Sequence, residues 1–375
     1  MERAYFHQDP ILLTPGPLST TMRTKQAMLK DWGTWDESFH EMTQTLCAKL
    51  LKIIDGEEDF TCIPMQGSGT YAVEASVSTL IPRKDSCTLV LINGLYGQRS
   101  RTILEYMGKK HLVLDKGDYL PPMPDEVEAL FKKHPDITHV LCVHCETCSG
   151  IINPVKEIGA LCKTYGKILI LDAMSSFGAI PLTIHDVHYD ALISSANKCI
   201  EGVPGFAFVL VRTELLKKSK GHSMSFCLDL YDQWEGFSKP IMWRFTPPAH
   251  VIAAFLEALL QHEEEGGCAG RLERYQANQR TLISGMRSLG LITLLEEPWL
   301  SPILTTFLAP ADNRFTFKQF YTELKSQGFI IYPGKLISQD SFRIGTIGQL
   351  TPEIMHRFVD AVGMALSRMG ITPIM

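Results

Sequence analysis

The sequence predicts an α/β protein. A large domain built on a mainly parallel sheet flanked by helices is followed by a smaller C-terminal α+β domain. Three observations carry this. Strand-length apolar runs alternate with helix-length amphipathic segments. Several of the runs are continuously apolar, as strands buried on both faces are. After about residue 247 the texture changes to long helices and shorter strands.

The strand candidates, in order, are "FTCIPM", "CTLVLI", "HLVL", "THVLCVH", "KILILD", "ALISS" and "FAFVLVR". Between them lie four helix candidates. "TYAVEASVSTLI" follows the Gly67–Gly69 turn, and "YGQRSRTILEYMG" follows the second strand. "MPDEVEALFKKH" opens with a proline and an acidic first turn. "PVKEIGALCKTYG" has proline at its start and Gly166 at its stop. Strand and helix in repeated alternation mean a parallel sheet with helices on both faces. A long helical stretch then runs from "PAHVIAAFLEALLQHEEEGG" into "AGRLERYQANQRTLISGMRSLG". We expect an N-terminal arm over residues 1–20, a large domain over 21–265 and a small domain over 266–375.

The 375 residues can bury a large core, and 45% hydrophobic with 21% charged residues is an ordinary globular balance. Lys+Arg 36 against Asp+Glu 41 gives a net charge of −5, with no basic run. Nucleic-acid and anionic-membrane partners are therefore not expected. No basic segment leads into a long apolar core at the N-terminus, and no apolar run approaches the ~20 residues of a membrane helix. A cytoplasmic protein is expected. The ten cysteines are scattered, mostly inside apolar runs, and read as buried free thiols. "CVHCETC" spaces Cys142, Cys145 and Cys148 at CxxC intervals, but no separate CxxC stands elsewhere in the sequence, so no metal site is expected.

Five features carry chemistry. "QGSGTYAVEA" places Ser68, Gly69 and Thr70 between a strand and a helix start, where hydroxyls, amides and the helix dipole suit an anion. It reads equally as a capped turn, and it is neither a P-loop nor a GxGxxG fingerprint. Asp172 ends the strand "KILILD", at the edge where open α/β sheets bind ligands. It either caps a turn or pairs with a ring nitrogen. Lys198 follows "YDALISSAN" and has small, neutral neighbours: Ser195, Ala196 and Asn197. Desolvation there would lower its pKa and free a nucleophilic amine. Alone it also reads as a solvated loop lysine. Arg343, in "DSFRIGTIG", offers a planar fork for a carboxylate or phosphonate, or else is a strand-edge surface arginine. Tyr96, in "INGLYGQRS", adds an aromatic that can stack on a flat ring. Together these supply an anion cradle, a ring platform, a ring-nitrogen partner and an imine-forming amine, which are the needs of pyridoxal 5′-phosphate.

At these residues the chain resembles the class V aminotransferases among the fold-type-I pyridoxal phosphate enzymes. The resemblance covers nearly the whole chain, through "LLTPGPLS", "WGTWDESF", "NGLYGQR", "DAMSSFGAIP", "ISSANKCIEGVPGFAFV", "GHSMSFCLDLYDQW", "WRFTPPAH", "GFIIYPGK" and "FRIGTIG". It implies an internal Schiff base on Lys198, the pyridinium partner at Asp172 and the stacking ring at Tyr96. Ser68, Gly69, Thr70 and Ser195 would bind the cofactor phosphate. Thr147 would contact the ring hydroxyl side. Thr246 would reach the phosphate of a partner subunit's cofactor, which implies a homodimer with shared sites. Arg343 would hold the acidic end of the substrate. The activity implied is ping-pong transfer of an amino group from a short phosphonate-bearing amine to pyruvate, a step in phosphonate breakdown. Alanine–glyoxylate or serine–pyruvate exchange is the alternative within the family. Hydroxyl residues usually stand where this chain has Cys148.

Overall fold

A computed structural model describes residues 9–237, 242–335 and 339–371. Residues 1–8 of the expected arm and 372–375 of the expected small domain lie outside the described residues. The chain opens with β1 (Ile11–Leu12), α1 (Met22–Gln26), α2 (Glu37–Ile53), β2 (Phe60–Gln66) and α3 (Gly69–Leu80). Next come β3 (Thr88–Ile92), α4 (Leu95–Tyr106), β4 (His111–Asp115), α5 (Pro124–Lys133) and β5 (His139–Val143). A two-strand ribbon of β6 (Cys145–Glu146) and β7 (Ile151–Ile152) leads to α6 (Val155–Thr164) and β8 (Ile168–Asp172). Then follow β9 (Ala191–Ser195), β10 (Phe206–Arg212), α7 (Thr213–Lys218) and α8 (Leu230–Gly236). The remainder is α9 (Ala249–Glu264), α10 (Gly267–Ser288), β11 (Leu304–Leu308), α11 (Phe317–Ser326), β12 (Phe329–Ile330), β13 (Tyr332–Pro333), β14 (Ser341–Gly345) and α12 (Pro352–Arg368).

All seven expected strands enter one seven-stranded sheet, in the order β2-β10-β9-β8-β5-β3-β4. From β9 to β4 every pairing is parallel, and β10 runs antiparallel to both of its neighbours. The continuous apolar runs follow from burial on both faces. Leu89 and Leu91 of β3 point into one core, while Val90 and Ile92 point into the other. Helices cover each face, which is why neither face needs polar residues.

Four helices escaped the sequence reading, α1, α2, α7 and α8, of which α2 is the longest. α2 begins at Asp36, whose carboxylate accepts from the Ser38 amide at 3.0 Å. It buries Phe39, Met42, Leu46 and Leu50 against the large core at helical spacing. The long stretch read as continuous is instead two helices, because the chain turns at Gly266 with φ 98°.

A third core joins Leu282 and Met286 of α10 to Phe307, Phe320, Phe342 and the apolar face of α12. We propose the domain division at Glu265 and Gly266 on this packing. Leu13, from the N-terminal arm, belongs to the same third core. β1 pairs in parallel with β12, and the Gly345 amide donates to the Leu13 carbonyl at 2.9 Å. The arm thus crosses β14 at close range. A Cβ on Gly345 would fall 2.2 Å from the Thr14 carbonyl oxygen.

Backbone on both sides leaves that contact little room to relax. Gly345→Ala should displace the arm and destabilise the protein by about 1–3 kcal/mol, the usual cost of forced overpacking. Thermal denaturation against wild type checks this. An unchanged melting temperature would contradict the described crossing.

Candidate active site

The carboxyl ends of the central strands open into a cleft of about 630 Å³, counted to its mouth. That size suits a small organic ligand. Its walls include Ser68, Gly69, Thr70, Tyr96, Asp172, Ser195 and Lys198. The structure therefore gathers seven of the expected site residues from segments far apart in sequence.

Each arrives for a local reason. Ser68 is the N-cap of α3, in extended conformation, yet its side chain makes no capping hydrogen bond. A helix start with an uncommitted hydroxyl and unhindered amides is suited to an anion. Asp172 is the last residue of β8 and is buried. Its Oδ1 accepts from the Met174 amide at 3.0 Å, and its Oδ2 from Arg99 Nη2 at 2.6 Å. Lys198 follows β9 by three residues, and its Nζ donates to the Pro15 carbonyl at 3.1 Å. Burial is the largest influence on this amine and lowers its pKa to about 8, against a weaker opposing pull from Cys199 and Asp172. The arm makes this contact possible at Gly16. With φ at +121°, it passes so near that a Cβ would lie 2.4 Å from Nζ.

Three expected residues stand apart from the cleft wall. Thr147 is buried, and its carbonyl accepts from Arg343 Nη1 at 2.8 Å. Arg343 lies on β14 and is 2% exposed. Its Nε donates to the Pro333 carbonyl at 2.9 Å, and desolvation lowers its pKa, with Cys148, Tyr96 and Glu146 acting the other way. Thr246 is exposed, in a separate surface depression with Thr34, Trp35 and Arg244.

The sequence reading missed other participants. Arg99 bridges Asp172 and Thr70, donating to Thr70 Oγ1 at 3.1 Å, and its guanidinium lies 5.0 Å from the Tyr96 ring centre. Its spacing of three from Tyr96 on α4 is the signal that could have revealed it. Glu146 is fully buried at the start of α4. Its Oε2 accepts from the Tyr96 amide and its Oε1 from the Cys148 amide, each at 3.1 Å. Burial raises its pKa, and these donors oppose the rise. Glu146 thereby anchors the helix turn that presents Tyr96 and Arg99. Glu201, with φ 64°, accepts from Arg274 at 2.8 Å, Tyr275 at 2.6 Å, the Gly348 amide at 3.2 Å and Gln349 at 2.6 Å. It ties the Lys198 loop to α10 and to the segment after β14.

Seven of the ten cysteines are buried and none is paired. Burial pushes the Cys145 and Cys148 thiols up to about 12. Among the described residues no group of three or more His, Cys, Asp or Glu is arranged to hold a metal ion.

A desolvated amine, a strand-end carboxylate, an aromatic platform and an open helix start fit pyridoxal phosphate, group for group. They define the class of fold-type-I transferases that use that cofactor. The chain belongs to the class V aminotransferase family, whose profile matches residues 110–339. It is 52% identical to 2-aminoethylphosphonate–pyruvate transaminase 1 of Paraburkholderia xenovorans, over 97% of this chain and 93% of that protein. It is also 52% identical to the 2-aminoethylphosphonate–pyruvate transaminase of Rhizobium meliloti, over 97% and 95%. Among solved structures, pyridoxamine–pyruvate aminotransferase from Mesorhizobium loti superposes with a TM-score of 0.89 at 25% identity, covering 97% of this chain and 94% of that one. Alanine–glyoxylate aminotransferase from Nostoc shares the fold, with a TM-score of 0.90 at 22% identity over 98% and 97%.

The Lys198 amine yields a test that needs no ligand. Its pKa is lower folded than the ~10.4 of a free lysine, so between about pH 8 and 10 the unfolded chain binds more protons. Its burial therefore costs stability below pH 8, and the cost fades as pH rises. In the apoprotein, Lys198→Met should raise stability at pH 7 by roughly 1–3 kcal/mol, and the gain should shrink toward pH 10. Denaturant titrations at the two pH values measure this. A gain independent of pH would contradict the buried amine.

Proposed function

We propose that this protein moves the amino group of 2-aminoethylphosphonate to pyruvate, giving phosphonoacetaldehyde and L-alanine by a ping-pong route. The observation that carries the proposal is a desolvated lysine amine in a cleft bordered by Tyr96, beside which stand the cations Arg343 and Lys335. Near-full-length likeness to transaminases named for that reaction supports it.

Pyridoxal phosphate supplies an electrophilic aldehyde carbon and a conjugated ring that accepts an electron pair. The first turn of α3, with Ser68, Gly69 and Thr70, would hold its phosphate, with Ser195 beside it. Asp172 would keep a ring nitrogen protonated, and Tyr96 would press on the ring face. Lys198 Nζ would hold the cofactor through its aldehyde carbon. When its amine is free, Nζ would take the proton from the amine-bearing carbon of the substrate, hold it and give it back within the same half-reaction. A pKa near 8 leaves it free to act as base and then acid near neutral pH. Arg343, oriented by the Thr147 and Pro333 carbonyls, would grip the acidic end of donor and acceptor alike. Thr147 would act on the substrate clamp through its backbone carbonyl and on the ring hydroxyl side of the cofactor through its side chain.

The working unit we propose is a homodimer of the cytoplasm, in which Thr246 serves the partner subunit's cofactor. The exposed Trp35 beside Thr246 suits an interface. Among the described residues no helix is long and apolar enough to cross a membrane.

Lys198→Ala should abolish the absorbance of bound cofactor and lower turnover by about 10²–10⁴-fold, the range for a lost general base. Full turnover in that variant would sink the assignment. In a donor panel with pyruvate, kcat/KM for 2-aminoethylphosphonate should exceed that for serine. With glyoxylate as acceptor, alanine should also be the poorer donor. Preference for serine, or for alanine with glyoxylate, would favour the alternative exchange instead.

A further inference from the structure

The surroundings of Tyr96, at the border of the cleft, have more positive charge than a carboxylate substrate would use. Arg99 is already matched by Asp172. Arg343 has Nε and Nη1 on carbonyls, and its remaining edge suffices for one carboxylate. A further cation stands near the same Tyr96. Lys335 is exposed, and its Nζ lies 5.7 Å from the centre of the Tyr96 ring. It has no hydrogen-bond or ion-pair partner among the described residues.

The fold fixes its relation to the substrate clamp. β13 pairs with β14, with Tyr332 opposite Arg343 and Pro333 opposite Phe342. The Pro333 carbonyl receives Arg343 Nε, and Lys335 follows two residues later. One short strand therefore both orients the guanidinium and delivers a second positive charge. Both charges act around Tyr96, which with Arg99 borders the cleft. The Lys335 charge also reaches Lys198, where it opposes protonation. Glu146, the nearby buried carboxylate, is committed to the amides of Tyr96 and Cys148 and does not neutralise Lys335 through a contact.

We infer that Lys335 is a specificity residue: it is the second cation that recognises the dianionic phosphonate group of the amine donor, with Arg343 as the first. This inference rests on the function proposed above and deepens it. A phosphonate at neutral pH carries up to two negative charges and three acceptor oxygens, by analogy with phosphoryl groups. A carboxylate carries one charge and two oxygens. A guanidinium satisfies the carboxylate, whereas the phosphonate leaves a charge and an oxygen that the Lys335 ammonium can meet as a compact point charge. Pyruvate and alanine use the first cation, and the phosphonate donor uses both. One site can then serve two half-reactions while discriminating between amine donors.

The experiment compares three amine donors on the holoenzyme: 2-aminoethylphosphonate, its phosphonate monomethyl ester, and L-alanine in the reverse half-reaction. Each is measured with wild type, Lys335→Gln and Lys335→Arg. In Lys335→Gln, kcat/KM should fall at least about tenfold more for the dianion than for the two monoanions, the scale of one charge-assisted hydrogen bond. The loss should lie mainly in KM. Lys335→Arg should restore most of it. Equal losses for all three donors, or no loss for the dianion, would overturn the inference while leaving the proposed function standing. A wild-type enzyme that fails to use the phosphonate amine at all would overturn both.

Discussion

The Lys198 amine is half-buried at the carboxyl edge of the sheet, held by the Pro15 carbonyl and free of any ion pair among the described residues. A lysine kept out of water has its neutral form favoured, and that form is what a nucleophile and base requires. Much of the remaining architecture serves to keep it there. The N-terminal arm passes over it, and the arm is in turn pinned by β12 and β14. Glu201, three residues further on, gathers donors from α10 and from the turn after β14. Lysine loop, arm and small-domain core are thus mechanically joined. The β13–β14 pair carrying Arg343 is referred to the amine through this framework and not through a direct contact.

Charge is distributed around that amine with little redundancy. Asp172 is matched by Arg99, and Glu146 by the start of α4. Arg343 and Lys335 are not matched by any carboxylate contact among the described residues. A desolvated cation without a counter-ion, as Arg343 is, is unfavourable in an empty protein and favourable once an anionic ligand enters. The cleft is therefore complementary to anions at two places, the α3 start and the β13–β14 rim. An amine and a ring partner lie between them. A cofactor phosphate and a substrate acid group can occupy the two ends without competing.

The large sheet was legible because strands such as Val90–Ile92 and Leu169–Leu171 are apolar on both sides, a pattern that few other environments produce. Asp172 and Lys198 were legible for a related reason: each follows such a run, so each falls on the same sheet edge. Glu146 was not, because a glutamate inside "HCETC" carries no local sign that its carboxylate meets the amide of Tyr96, 50 residues earlier. Arg99 could have been read from its spacing to Tyr96, but its ion pair with Asp172 spans 73 residues. Nor did the motif around Thr147 announce that its backbone carbonyl receives Arg343, 196 residues later.

By itself the sequence determined which residue types stand at strand ends and helix starts, since apolar periodicity, caps and breakers act over a few residues. It thereby determined the α/β class, the order of elements and seven residues of the cleft. Only the tertiary structure decided what touches what across the chain. The arm seals Lys198 from 183 residues away, Arg99 engages Asp172, and β13 sets Arg343 and Lys335 around Tyr96. Such contacts depend on how whole elements pack, and no local pattern of side chains encodes the distance between them.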